Sequence, residues 1–371
     1  MSPNLSLIVP TYNRPRELRL VLEGLRHQSG TDFEVVVADD GSTKETRDLI
    51  EEIRRDFPRP LLHVRHEDEG FRAAAIRNRA IEKASGEWLV FLDGDCVPLP
   101  GFVDAHDRAR ERGVYLTGQR LRLDALRSEA IDPQRIARGG LARLATPWER
   151  IKESYERGRA IVDWIRNHEE RPKLISCNAS ASKEDVVAIN GFDERFVGWG
   201  GEDDDFGRRL RRSGLRPRSV IGRARVLHLH HPPVPSFRGK VRLGPNYPYL
   251  HRGYFLTRCR NGLERRKMQD VSVRILGIPD TLPAPEWTAP CEVDVLLSPS
   301  STPARFHPES EIRVLAIVGP EPDSRLLREC HIVLPQGSAE VRAAEKPAGQ
   351  VKSPSYLAVM TAILDSLDPL I

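Results

Sequence analysis

The sequence predicts an α/β protein with a mostly parallel sheet and helices on both faces. Three observations predict it. Apolar runs such as "LSLIV" and "FEVVVA" are nearly continuous, as in strands buried on both faces. Segments of helical period alternate with those runs. Three of the connections open with a polar cluster, and in parallel sheets ligands bind at the carboxyl ends of the strands.

The first strand spans residues 5–9 and stops at Pro10, which cannot donate to a ladder. Residues 15–28 place Leu18, Val21, Leu22 and Leu25 on one helical face. A second strand, residues 33–38, ends in Asp39, Asp40, Gly41 and Ser42. A helix over 43–56, the short strand "LLHVRH" and a helix over 71–84 follow. The run Trp88–Leu92 is a fourth strand and ends in Asp93, Gly94 and Asp95. Residues 125–172 are Arg-rich and helical in pattern, which suits a mobile lid, an acceptor-binding insertion or a solvated helical pair. "KLISCNASASKEDVVAINGFDERF" returns to a strand and a short helix.

"GWGGEDDDFGRRLRRSG" then sets four carboxylates, Glu202 to Asp205, at the start of a helix that has Phe206 and Leu210 on one face and Gly214 as its stop. First-turn acids suit the positive end of a helix, but one or two would serve and four repel one another. "RVLHLHHPP" is a strand ending in three histidines. Near residue 270 the character changes to short apolar strands, "VSVRILGI", "VDVLLS", "IRVLAIVG" and "HIVLP", with helix-like pieces at 323–330 and 355–367. The expected division is a catalytic unit over 1–268 and a small α/β domain over 269–371 whose role, whether docking, acceptor binding or dimerisation, stays open.

At 371 residues, 39% hydrophobic and 30% charged, the chain reads as globular. No apolar run reaches the roughly 18–20 residues that span a bilayer. The N-terminus lacks the pattern of a signal peptide, so the expected compartment is the cytoplasm. Five widely spaced cysteines without a CxxC pair fit reduced thiols. The net charge of +4 is uneven: residues 271–371 hold 8 basic against 13 acidic groups, so the first 270 carry the positive balance. A basic front part suits a phosphate-bearing substrate or an anionic membrane surface. No nucleic-acid motif accompanies it, so no nucleic-acid partner is expected.

Asp93 and Asp95 flank a glycine at a strand end. Asp-Gly is a favoured turn pair, but the prolines at 98 and 100 make a following hairpin strand poor. Hard oxygen ligands at such a point suit Mg²⁺ or Mn²⁺ completed by substrate phosphates. Asp39 and Asp40 are expected on the same rim.

These pieces, "LSLIVPTYNR", "VVVADDGS", "GFRAAAIRNRAI", "WLVFLDGDC" and "NGFDERFVGWGGEDDDFGRRL", together resemble inverting nucleotide-sugar glycosyltransferases of the GT-A fold over about residues 5–235. The resemblance implies nucleoside and donor contacts at Pro10, Thr11, Tyr12, Asn13, Asp39 and Asp40. It implies a diphosphate and sugar wall at Arg72, Arg77 and Asn78, and a DxD motif at Asp93, Gly94 and Asp95 with Asp95 as the direct metal ligand. The "WGGEDDD" block is similar to that of β-1,4-galactosyltransferases. By that likeness Trp199, Gly200 and Gly201 face donor and acceptor, Glu202 binds acceptor hydroxyls and Asp203 is the base. His228 best matches a further metal ligand, with His230 and His231 close by. The implied partners are a UDP-sugar donor and a glycan, glycolipid or other hydroxyl acceptor, with Mn²⁺ or Mg²⁺ as cofactor. A peripheral place at the cytoplasmic face of a membrane and a homo-oligomer are further expectations. A nucleotidyltransferase would show a Gly-rich phosphate loop where this chain has "PTYNRP". A glycoside hydrolase needs no nucleotide site. The remaining alternative is a non-catalytic carbohydrate-binding or nucleotide-binding protein.

Overall fold

The structure is a computed structural model and describes residues 3–30, 32–166, 168, 171–232, 244, 246–253, 255–267, 270–276, 291–298, 306, 310–317, 326–334 and 367. The chain divides into two compact units, Met1–Leu250 with Asn261–Leu263, and His251–Arg260 with Glu264–Ile371.

The first unit opens with β1 (Leu5–Thr11), α1 (Pro15–Arg26), β2 (Phe33–Asp39), α2 (Lys44–Arg54), β3 (Leu61–Arg65), α3 (Ala73–Lys83) and β4 (Trp88–Phe91). Then come β5 (Cys96–Pro98), α4 (Phe102–Ala109), β6 (Val114–Thr117), β7 (Gln119–Arg122), α5 (Ala125–Glu129), α6 (Pro133–Arg138) and α7 (Pro147–Ile165). The unit closes with β8 (Ala179–Ser182), α8 (Lys183–Ala188), α9 (Glu202–Arg212), β9 (Arg216–Ser219), β10 (Arg225–His228) and α10 (Tyr247–Leu250).

Seven strands form one sheet in the order β3-β2-β1-β4-β8-β6-β9. β8 runs antiparallel to both its neighbours, and the other pairings are parallel. Alternation on the central strands sorts the core. Leu5, Leu7, Val9, Val35 and Val37 pack with Leu18, Leu22 and Leu25 of α1 and Leu49 and Ile50 of α2. Ile8, Val36, Ala38, Leu89 and Phe91 face the other way, onto Ile76 and Ala80 of α3, Val186 of α8, and Phe206 and Leu210 of α9. Both sheet faces are therefore covered, which is why these strands read as continuous apolar runs. Each buried Val, Leu, Ile or Phe side chain among them stabilises by roughly 1.5–3 kcal/mol.

β1 continues through Pro10 to Thr11, two residues beyond the expected stop. The carbonyl of Pro10 faces the β4 side, where it accepts from Gly94 N. The N–H that proline lacks would point the same way, past the last β4 pairing at Phe91, so no ladder bond is lost. A smaller sheet, β5-β10-β7, sets the antiparallel β5 and the parallel β7 on either side of β10. The segment after the DxD motif therefore pairs with the histidine strand rather than folding back on β4.

The second unit carries β11 (Val273–Leu276), β12 (Val293–Ser298), β13 (Ile312–Ile317), α11 (Leu326–Glu329) and β14 (Ile332–Leu334). Its four strands form a parallel sheet in chain order, and Val293, Val295, Ile312 and Val314 anchor its core. The helix expected over 355–367 lies, Leu367 apart, outside the described residues. Among the described residues, no helix is long and apolar enough to cross a membrane.

Candidate active site

The three polar clusters meet and are hydrogen-bonded to one another. Asp40 N donates to Thr11 O (2.9 Å) and Gly94 N to Pro10 O (3.1 Å). Asn13 N donates to Ser42 Oγ (3.0 Å), and Asn13 Oδ1 accepts from Thr43 N (2.8 Å). Asn13 holds this bridge at φ 49, a left-handed conformation that Asn tolerates better than most residues. At Gly94 a Cβ would stand 2.4 Å from Pro10 O, so the middle of the DxD motif admits no side chain.

Asp39 and Asp40 are buried and engaged by the protein. Asp39 Oδ1 accepts from Ser42 N (2.7 Å) and Oδ2 lies 3.1 Å from His63 Nε2. Burial works against the Asp39 charge, but His63 and Ser42 outweigh it and lower its pKa. Asp40 bonds to His66 and accepts from Arg72 N (2.9 Å), yet burial dominates and raises its pKa. Thr11 Oγ1 is buried without a hydrogen-bond partner among the described residues. Tyr12 is exposed and donates to Asp68 Oδ2 (3.0 Å). Arg72 pairs with Glu69. Asn78 serves the chain itself: its amide donates to Phe192 O (2.8 Å) and Glu194 Oε1 (3.1 Å), and its oxygen accepts from Phe192 N (2.8 Å).

The four acids of α9 part company. Successive helical residues point about 100° apart, and each acid finds its own surroundings. Glu202 Oε1 accepts from Arg77 NH1 (3.1 Å), while its Oε2 is buried without a hydrogen-bond partner among the described residues. Asp204, on the surface, lies 3.4 Å from Lys173 Nζ. Asp205 is buried and accepts from Arg209 Nε (2.7 Å) one turn on. Asp203 is half-buried, and its Oδ1 accepts the adjacent Asp204 N (2.9 Å). Burial, then the charges of Glu202 and Asp204, push its pKa up to about 7.

Arg77 joins this helix to the DxD motif. It donates to Glu202 and also, through NH2, to Asp93 Oδ1 (3.1 Å) and Ser176 Oγ (3.2 Å). Its own burial disfavours the guanidinium charge, but Asp93, Glu202 and Asp203 outweigh that and raise its pKa. Below it an aromatic trio fixes α9 to the sheet. Phe192 stacks on Phe206 at 4.1 Å, and Phe91 of β4 meets both rings edge-on.

Asp95 lies among basic side chains. Its Oδ2 accepts from Arg14 NH1 (3.1 Å) and lies 3.1 Å from His231 Nε2, while Oδ1 is 3.8 Å from His228 Nε2. Burial would raise its pKa, but the His231 bond and the charges of His228, His231 and Arg14 hold it below the usual range. Asp95, Cys96 and His228 bring one ligand atom each within 4.8 Å of one another. Burial keeps the Cys96 thiol protonated, so Asp95 and His228 are the effective donors. A strand would put residues 228 and 230 on one face. β10 ends at His228, however, and His231 rather than the exposed His230 reaches Asp95. Arg14 was visible in "PTYNR" but carried no assigned role, and Ser176 gave no signal in the sequence.

Trp199, Gly200 and Gly201 line a small hollow with Gly244, Asn246, Tyr247 and Leu250. Asn246 Nδ2 donates to Gly200 O (2.8 Å), and Gly198 N donates to Phe71 O (2.9 Å). The glycine turn at the head of α9 is thus tied to the loop before α3.

Two stretches of the chain match known families. Residues 6–117 match glycosyl transferase family 2, and residues 158–232 match the N-terminal domain of galactosyltransferase. The first holds the rim and Asp95. The second holds the α9 acids, His228 and His231. The chain is 33% identical over 236 residues to a chondroitin synthase of Escherichia coli, covering 59% of this chain and 34% of that one. It is 34% identical over 227 residues to a validoxylamine A glucosyltransferase of Streptomyces hygroscopicus subsp. jinggangensis (strain 5008), covering 57% and 52%. It therefore spans about half the length of these relatives, or less. Among solved structures, S. aureus TarS 1–349 in complex with UDP-GlcNAc is 20% identical with a TM-score of 0.45, covering 63% of this chain and 60% of that one.

Proposed function

The chain carries a glycosyl transferase family 2 domain, and from that premise we propose that it is a metal-dependent, inverting glycosyltransferase. It moves a hexose or N-acetylhexosamine from a UDP-sugar to an acceptor hydroxyl by single displacement. The observation that carries this reading is Arg77. It ties the DxD carboxylate Asp93 to Glu202 at the start of α9, so a leaving-group site and the helix start that carries the candidate base belong to one connected cluster.

The residues fit a divalent ion. Asp95 and His228 offer a carboxylate and an imidazole close together, and the Asp95 oxygens are faced by Arg14 and His231, basic groups gathered around one carboxylate. Asp95 and His228 would hold the ion, with His231 beside them and Asp93 toward the substrate. The oxygen ligand suits Mn²⁺ or Mg²⁺, and the imidazole favours Mn²⁺. When bound, such an ion supplies charge neutralisation to a departing diphosphate.

Asp203 takes the proton of the attacking hydroxyl, a role for which a pKa near the working pH is suited. The second oxygen of Glu202, without a partner among the described residues, accepts from acceptor hydroxyls. Attack from the face opposite the leaving group inverts the anomeric centre and needs no covalent nucleophile. The glycine turn and Trp199 form the donor-side wall, and Pro10 to Asn13 with Asp40 form the nucleoside end.

The test is UDP release from a panel of UDP-sugars, with and without Mn²⁺. Metal-dependent release from at least one sugar is expected. A chain that releases UDP equally well in chelator, or binds no UDP at all, overturns the reading.

A further inference from the structure

Helix α7 carries an outward face that the body of the protein does not use. Trp148, Ile151, Tyr155, Ile161, Val162 and Ile165 are 72%, 59%, 67%, 52%, 43% and 75% exposed. At 100° per residue they fall on one stripe. The opposite side of the helix is the docked one. There Glu149 pairs with Arg127 (2.9 Å), Glu153 with Arg225 (2.6 Å), Ala160 and Asp163 are buried, and Trp164 lies under Arg216 (3.9 Å).

The charges divide the same way. The acids Glu149, Glu153, Glu156 and Asp163 lie on the docked side. Both shoulders of the apolar stripe are basic and exposed, with Lys152, Arg159 and Arg166 on one and Arg150 and Arg157 on the other. Soluble proteins rarely present contiguous apolar patches of this kind without a partner.

We propose that α7 is an interfacial helix that seats this protein on an anionic lipid surface. Charge complementarity selects that occupant. If two copies paired through this stripe, a basic shoulder would face a basic shoulder in either orientation, which costs several-fold in affinity. Lipid phosphates offer the opposite charge to both shoulders at once. An apolar stripe of Trp, Tyr and Ile rimmed by Lys and Arg is the composition of helices that lie in the headgroup region. The helix is about 28 Å long, so stripe and shoulders form one continuous strip. This inference rests on α7 alone and stands whether or not the chain transfers a sugar.

The test is co-sedimentation of the full chain with vesicles of phosphatidylcholine plus phosphatidylglycerol, against phosphatidylcholine alone. Binding to the anionic vesicles, weakened by salt, is expected. Two double variants separate the parts: Trp148→Ser with Tyr155→Ser removes apolar contact, and Lys152→Glu with Arg166→Glu reverses one shoulder while sparing Arg159, which pairs with the buried Asp163 (4.0 Å). Each is expected to melt like the parent and to bind at least about tenfold more weakly. Absence of binding to the anionic vesicles overturns the proposal. So does binding that both variants retain, which would place the contact elsewhere. A parent that ignores vesicles and runs as a dimer, returned to monomer by the Trp148/Tyr155 variant, would make the stripe a protein interface and equally overturn it.

Discussion

At the residue scale, Asp203 carries the most specific expectation. Its environment raises a carboxyl from an ordinary 3.8 to about 7, so it gains and loses its proton near neutrality. As the base it works only when ionised, so turnover should fall as pH drops through about 7. Asp203→Asn should lose about 10²–10⁴-fold in transfer and keep UDP and metal binding. Stability should move the other way. A carboxyl whose folded pKa is raised favours the fold fully only below its unfolded pKa, and that contribution is lost as pH climbs from about 4 to about 7. Asn does not ionise, so the variant should melt above the parent at pH 8, with the gap closing toward pH 4. Melting curves at the two pH values check this. Asp204→Asn serves as the comparison: it removes one of the charges that raise the Asp203 pKa, so it should keep transfer at pH 8 and move the turnover midpoint to lower pH. Near-parental transfer by Asp203→Asn would place the base elsewhere. Asp95→Ala is the complementary change. It should abolish Mn²⁺-dependent UDP binding in calorimetry and leave the melting temperature within a few degrees. Unaltered binding would remove the DxD motif from the metal site.

At the element scale, the rim depends on how closely β1 and the residues after β4 approach. Gly94→Ala would force a Cβ to 2.4 Å from Pro10 O, so the Gly94 N to Pro10 O bond must open and Asp93 and Asp95 must shift. UDP affinity in the presence of Mn²⁺ should fall at least about tenfold, since angstrom displacements of a positioned group cost on the order of 10²-fold in rate. Parental affinity with a parental melting temperature would show that the rim yields without moving the carboxylates. The same scale explains the run of acids. α9 begins at a left-handed Gly201 (φ 99) without a side-chain cap. Asp203 accepts one first-turn N–H, Glu202 pairs with Arg77, Asp205 pairs with Arg209, and Asp204 stays at the surface. The helix thus separates four charges that look crowded in one dimension.

At the scale of the molecule, every candidate site residue lies in the first compact unit. A fragment ending at residue 268 should therefore fold and bind UDP with Mn²⁺ about as tightly as the full chain. A folded fragment that binds no nucleotide would assign part of the site to the second unit, and calorimetry on fragment and full chain distinguishes the two outcomes.

Local pattern determined a good deal. Buried strands leave continuous apolar runs, and helices leave a 3.6-residue period, so β1 to β4 and α1 to α3 were legible within a residue or two. The polar clusters at strand ends followed, because a parallel sheet has one carboxyl edge. The family was legible too, and both family matches bear it out. Tertiary structure alone decided the partners. Arg77 and Glu202 are 125 residues apart, Arg14 and Asp95 are 81 apart, and Asp95 and His231 meet only because β10 stops at His228. Asn78 was read as a donor contact, and its bonds to Phe192 and Glu194 left no trace in the sequence. The reason is physical. Backbone geometry repeats over two to four residues and so writes itself into the sequence. A side chain's partner is set by where the chain returns, and the pattern around either residue carries no record of that return.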